Sequence, residues 1–259
     1  MRLLFRIAVA AAALLSTTAF TPPPDALRAQ FKAGDGVTMT TRYWSEFDGK
    51  QQPGTLHKFR AEFGSGGLVA VERRAFYKPA TPFDPPPIRR IFRGRAYCKH
   101  YELTCVAPPD KNWLRQDGKR YSPHLESGRI SPTEPATIKA LLAKATSKGR
   151  GGVYDGTRTT IYRGVITEAE LYRLSPAARY NRTKPTGKDA GNTIAWRLWI
   201  GQDGLVRRIH TSATSSLLET LSRTDFTDSL LSGWGAKTDV PEPAASDTAT
   251  VPPGEWFPY

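Results

Sequence analysis

Two cysteines and four histidines hold most of the reactive chemistry in this 259-residue chain. A hairpin centred on Tyr101 and Glu102 would set Cys98 directly opposite Cys105. Directly opposed strand residues have α-carbons within disulfide range, so the two cysteines are expected to pair. Tyr-Glu is a poor two-residue turn, and a four-residue loop with the same centre suits the segment better. The spacing is not C-x-x-C, so the bond reads as structural rather than redox-active. His57, His100, His124 and His210 form neither H-E-x-x-H nor any close ligand pair, so no metal site is expected. Each reads as a surface or strand-end residue. Gly64-Ser65-Gly66-Gly67 lacks the G-x-S-x-G spacing of a serine nucleophile and reads as a hairpin turn. Glu168 and Glu170 are explained by helix capping. No glycine-rich loop follows a strand and opens a helix, so no phosphate-binding cofactor is implied. The chain has no assembled catalytic set and is expected to be non-enzymatic.

Large apolar residues are the other candidates, and alternation assigns their faces. Residues 37–47 read as a strand, with Val37, Met39 and Tyr43 on one face and Thr38, Thr40 and Arg42 on the other. Residues 56–63 alternate in the same way, with Phe59, Ala61 and Phe63 opposite Lys58, Arg60 and Glu62. Asp48-Gly49 and Pro53-Gly54 turn between these two strands. Further strands are expected over 68–77, 88–97 and 111–116, with a proline-rich break at 79–87. Residues 193–200 and 205–212 form a second hairpin around Asp203-Gly204. It places Trp196, Leu198 and Ile200 on one face and Trp199 on the other. One tryptophan must meet the core; the other meets solvent, a partner or a ligand cleft. A last strand is expected over 217–226.

Helical patterning is confined to the middle of the chain. Ser131-Pro132-Thr133-Glu134-Pro135 starts a helix, with Ile138, Leu141, Leu142 and Ala145 along one stripe and Gly149 at its end. Thr167 caps a shorter helix that stops near Pro176. Residues 153–165 lie between them as a strand interrupted by Asp155-Gly156. The order of elements predicts an α+β fold dominated by an antiparallel meander.

The N-terminus points to export. Arg2 and Arg6 precede an unbroken apolar run over 7–15, and Thr17 and Ala19 stand at signal-peptidase spacing. That run is short for a membrane span. Residues 1–19 are therefore read as a signal peptide and the protein as secreted. No cysteine follows the run, so no lipid anchor of the bacterial lipoprotein kind is expected. An extended lead-in over 20–34, one domain over 35–238 and a proline-rich surface tail over 239–259 complete the expected organisation. The chain carries 37 Lys and Arg against 24 Asp and Glu. Arg60, Arg73, Arg74, Arg89, Arg90, Arg93 and Arg95 fall singly along strand-like segments. They read either as a solubilising outer face or as a surface attracted to anionic membrane or wall polymer. Nucleic acid is a poor partner for an exported chain, and a monomer is expected.

Three stretches carry a family resemblance: Lys111-Asn112-Trp113-Leu114; residues 153–162 (VYDGTRTTIY); and residues 196–208 (WRLWIGQDGLVRR). The close over Thr224-Asp225-Phe226, Trp234-Gly235 and Asp239-Val240-Pro241 agrees with them. Together they resemble actinobacterial envelope proteins of the LppX/LprG type, in the LolA-like superfamily. The resemblance implies an open, strongly curved half-barrel sheet with helices on its concave face and an apolar cavity between them. It implies a lipid or other amphiphile as ligand. Candidate walls are Val37, Met39, Phe59, Phe63, Trp196 and Leu198 from the sheet, faced by Ile138, Leu141 and Leu142 from the helix. The alternative is an envelope interaction module without a small ligand, using the basic surface and the tail residues Trp256, Phe257 and Tyr259.

Overall fold

The structure is a computed structural model that describes residues 21–77, 88–99, 105–180, 182–218 and 221–252. The expected signal peptide, His100 and the tail aromatics lie outside these residues. The sheet comprises β1 (Asp35–Phe47), β2 (Lys50–Gln51), β3 (Thr55–Gly64), β4 (Gly67–Tyr77), β5 (Ile88–Phe92), β6 (Arg95–Lys99), β7 (Trp113–Asp117), β8 (Ser147–Tyr154), β9 (Thr157–Thr167), β10 (Thr193–Gly201), β11 (Val206–Leu218), β12 (Leu221–Lys237) and β13 (Thr248–Val251). The helices are α1 (Pro23–Arg28), α2 (Pro135–Ala143), α3 (Glu168–Leu174), α4 (Pro176–Arg179) and α5 (Gly187–Gly191).

The strands form one open sheet in the order β13-β7-β6-β5-β4-β3-β1-β12-β11-β10-β9-β8, with β2 paired to β1 alone. All pairings are antiparallel except β13 with β7. The sheet curves around one main core. β4 and β9 are six strand steps apart, roughly 29 Å if the sheet were flat. Val71 of β4 and Ile166 of β9 nevertheless join one buried cluster with Leu27 of α1, Ile138 and Leu141 of α2 and Leu171 of α3. This is the open antiparallel sheet with helices on its inner face that the family resemblance implies.

Strand period sets the faces. Val37, Met39 and Thr41 of β1 are buried, while Thr38 and Arg42 are exposed. The same alternation runs through Phe59, Ala61 and Phe63 and through Ile194, Trp196 and Leu198, all buried. Trp199 faces outward as expected. It is covered there by the Arg208 guanidinium, 4.7 Å from its ring, and by the edge of Tyr154.

Several elements depart from the sequence reading. The lead-in contains α1, whose first residue is Pro23, because proline's fixed φ suits the first helical position. Residues 88–97 form two strands, not one: Gly94, at φ 81°, turns β5 into β6. The expected last strand over 217–226 spans the junction of β11 and β12. α2 ends at Ala143, not at Gly149, and residues 147–154 pair with β9 as an exposed edge strand. The tail does not simply lie on the surface: Val240 is buried against Ala70, Phe92, Tyr97 and Trp113.

The cysteines are bonded, with α-carbons 6.2 Å apart. They do not face each other across a hairpin, however. Cys98 already has Arg89 of β5 and Leu114 of β7 as its two strand neighbours. Both edges of β6 are used, so Cys105 reaches Cys98 from a face of the sheet. Residues 100–104, the expected turn, lie outside the described residues.

Candidate functional site

The nine expected wall residues come together, but as packed core. Val37, Met39, Phe59, Phe63, Ile138, Leu141, Trp196 and Leu198 are buried in one cluster, and Leu142 packs against it. Two close approaches tighten this packing. A Cβ on Gly164 would stand 2.3 Å from the Trp196 ring, so glycine alone lets that ring lie against β9. A Cβ on Gly128 would stand 1.7 Å from Thr211 Oγ1. Gly128, at φ 53°, therefore lets the turn Ser127–Ile130 rest directly on the sheet. The Ser127 hydroxyl there meets Ser229 at 2.7 Å, and Ser229 meets Thr41 at 2.7 Å. These buried hydroxyls satisfy one another.

The open space lies beside this core, where the helices no longer cover the sheet. A cleft of about 260 Å³ occupies the inner face of β1 and β3–β6. Its floor is a set of cross-strand neighbours. Phe59 stands opposite Arg73, and Arg73 opposite Arg89. One row away, Val71 stands opposite Ile91, and Ile91 opposite Ala96. Tyr43 closes one end. The roof comes from the segment between β7 and α2 and from the residues just after α4. Tyr43 donates to the Glu126 carbonyl at 3.3 Å, and Arg182 pairs with the Glu126 carboxylate at 2.6 Å. The His124 and Tyr180 rings pack at a tilt with centroids 4.1 Å apart. Tyr121 joins Ala96, Cys98 and Cys105 in a small buried cluster, so the disulfide braces the cleft wall.

The cleft is apolar in its lining yet positive in its field. Burial and the charges of Arg73 and Arg89 push the His57 imidazole down to about 4. The His57 and Tyr43 rings meet at a tilt with centroids 4.8 Å apart, and the His57 Nδ1 has no hydrogen-bond partner among the described residues. Burial, and then the Glu126 carboxylate, push the Tyr43 hydroxyl well above its usual range. His57 is not the strand-end or surface residue expected from sequence. The arginines correct that reading further. Arg73 and Arg89 belong to the inner face, whereas their chain neighbours Arg74 and Arg90 belong to the outer one with Arg60 and Arg95. The sequence held a signal for this: in Arg73-Arg74 and Arg89-Arg90, strand alternation must turn one arginine of each pair inward.

The arrangement offers aromatic and aliphatic surface for an apolar group and guanidinium groups for an anionic one. Among the described residues, no three His, Cys, Asp or Glu side chains are grouped to hold a metal ion. Among them too, no helix is long and apolar enough to cross a membrane.

No family model and no curated protein matches the chain. Solved structures show distant likenesses. A LolA superfamily protein from Nitrosomonas europaea is 8% identical, covering 85% of this chain and 93% of that one, with a TM-score of 0.30. A DUF1329 family protein from Desulfovibrio piger is 13% identical, covering 87% and 95%, with a TM-score of 0.27. Lipovitellin is 10% identical over 83% of this chain but 27% of its own, with a TM-score of 0.29.

Proposed function

We propose that this protein is a non-catalytic, exported binder of a small amphiphile, held in the cleft over β1 and β3–β6. The observation that carries the reading is the composition of that cleft. Phe59, Val71, Ile91 and Tyr43 offer an apolar bed, and Arg73 and Arg89 stand side by side within it. An acyl or aromatic group gains about 0.8 kcal/mol per buried methylene on such a bed. The volume is just under the roughly 300–1,000 Å³ of small-molecule pockets, which favours a short chain or headgroup over a long lipid. Export accords with the disulfide, which persists in oxidising compartments. Placement among LppX/LprG-type envelope proteins rests on the sequence motifs alone.

A fluorescent fatty acid, titrated into the purified protein, tests this reading. Ile91→Trp fills the cleft from its floor and should abolish probe binding while leaving the circular dichroism spectrum unchanged. Equal probe affinity in the wild type and Ile91→Trp would remove the cleft from the function.

A further inference from the structure

A second set of arginines has a different address: the outer face of β9–β12 and β1. Arg163 of β9 stands directly opposite Arg197 of β10, and Arg197 opposite His210 of β11. The row continues through Asp228 of β12 to Arg42 of β1. Like charges directly opposed on neighbouring strands destabilise a sheet, so the Arg163–Arg197 pair costs the fold stability. The row's one acid, Asp228, is already engaged. Both Asp228 oxygens accept from Arg208, each at 2.7 Å. Arg42, Arg163 and Arg197 are exposed, and their guanidinium groups have no ion pair or hydrogen bond among the described residues. Arg163, Arg197 and His210 line a shallow pocket of about 230 Å³ with the hydroxyl-bearing Thr146 and Ser212.

The row on one side is largely apolar, and the row on the other mixes Thr40, Leu230, Arg208 and Trp199. On one side run Trp44, Phe226, Ser212, Ala195 and Val165, each opposite the next on its neighbouring strand. Trp44 and Phe226 stack with centroids 5.2 Å apart, and Val165 is 51% exposed. On the other side Leu230 is 46% exposed. A cationic line with an apolar line on one side and the exposed Leu230 on the other matches a bilayer interface, with phosphates above and acyl chains just beneath. Nucleic acid would match the charge but not the flanking aliphatic residues.

We propose that this outer face docks on a bilayer of anionic phospholipid. Arg163, Arg197 and Arg42 take headgroup phosphates, and Val165, Leu230 and the Trp44–Phe226 stack rest against the interface. The site is on the opposite side of the sheet from the cleft and does not depend on it. The full chain is sedimented with vesicles of equimolar phosphatidylcholine and phosphatidylglycerol, and with vesicles of phosphatidylcholine alone. Wild-type protein should bind the first and not the second. The double variant Arg163→Gln, Arg197→Gln should lose on the order of twentyfold in partitioning, at about fivefold per cation. Lys139→Gln with Lys188→Gln removes the same charge from exposed helix positions and should keep wild-type binding. Val165→Ser should weaken binding with the charge intact. Should the double variant fail to fold, screening provides the second measurement, because high salt must release the wild type from anionic vesicles. Absence of binding to anionic vesicles overturns the proposal. So does an equal loss in the lysine control, which would reduce the effect to net charge, or capture of inorganic phosphate without vesicle binding.

Discussion

His57 shows what a single buried base does to this fold. In the unfolded chain its imidazole titrates near its ordinary value of 6.5, and in the fold it is held down to about 4. Between those values the unfolded chain takes up a proton that the folded chain refuses. Stability is therefore full above about 6.5 and falls as pH drops towards 4, at up to about 1.4 kcal/mol per pH unit. Burial also lowers His210, which acts in the same direction. The difference between wild type and a variant isolates His57. His57→Phe keeps the ring contact with Tyr43 and removes the unpartnered nitrogen. Its urea midpoint should change less between pH 7 and pH 5 than that of the wild type. Identical acid sensitivity in the two proteins would show that His57 is not excluding a proton. No sequence signal marks this residue, because its environment comes from Arg73 and Arg89 on β4 and β5. Those strands meet β3 through register that a single chain does not display.

Elements with a local physical cause were legible, and elements defined by their neighbours were not. Thr167 caps α3 as expected, and with Glu170 it forms a capping box in which each backbone amide is bound by the other's side chain. The Asp155-Gly156 turn stands as read, with both residues at positive φ. By contrast β8, with the sequence SKGRGGVY, has no apolar alternation because it is an exposed edge that buries almost nothing. The cysteines combine both cases. Their pairing followed from compartment and spacing, whereas the hairpin did not, since β5 and β7 occupy both edges of Cys98's strand. The disulfide closes a short loop and packs with Tyr121 on the cleft wall. Replacing both cysteines by alanine should cost about 2–3 kcal/mol in chemical denaturation. It should also weaken binding of the fatty-acid probe, because Tyr121 loses its backing. Unchanged stability and unchanged affinity would separate the disulfide from the cleft.

At the scale of the molecule, the core splits unevenly, and the tail decides how well its smaller part holds. The main cluster lies under α1–α4, but β5–β7 pack instead into two small clusters of their own. The tail straps the outer face of these strands. Arg60 and Arg90 donate to the carbonyls of Asp239 and Pro241, and the Glu242 carboxylate accepts from Arg95 and from Tyr97. Lys111 and Asn112 then hold the chain as it enters β13, which extends the sheet beside β7. Proline-rich composition concealed this strap. Prolines lack an amide donor and break periodicity, yet their carbonyls remain good acceptors for arginine. Truncation after Thr238 removes Val240 from its cluster and the acceptors from Arg60, Arg90 and Arg95. Hydrogen exchange should then lose protection in β5–β7 by on the order of tenfold or more, while β9–β11 keep theirs, as expected when one cooperative unit loosens and another does not. Equal loss across both halves would mean that the sheet opens as one unit. Unchanged protection would mean that the tail only lies against the surface.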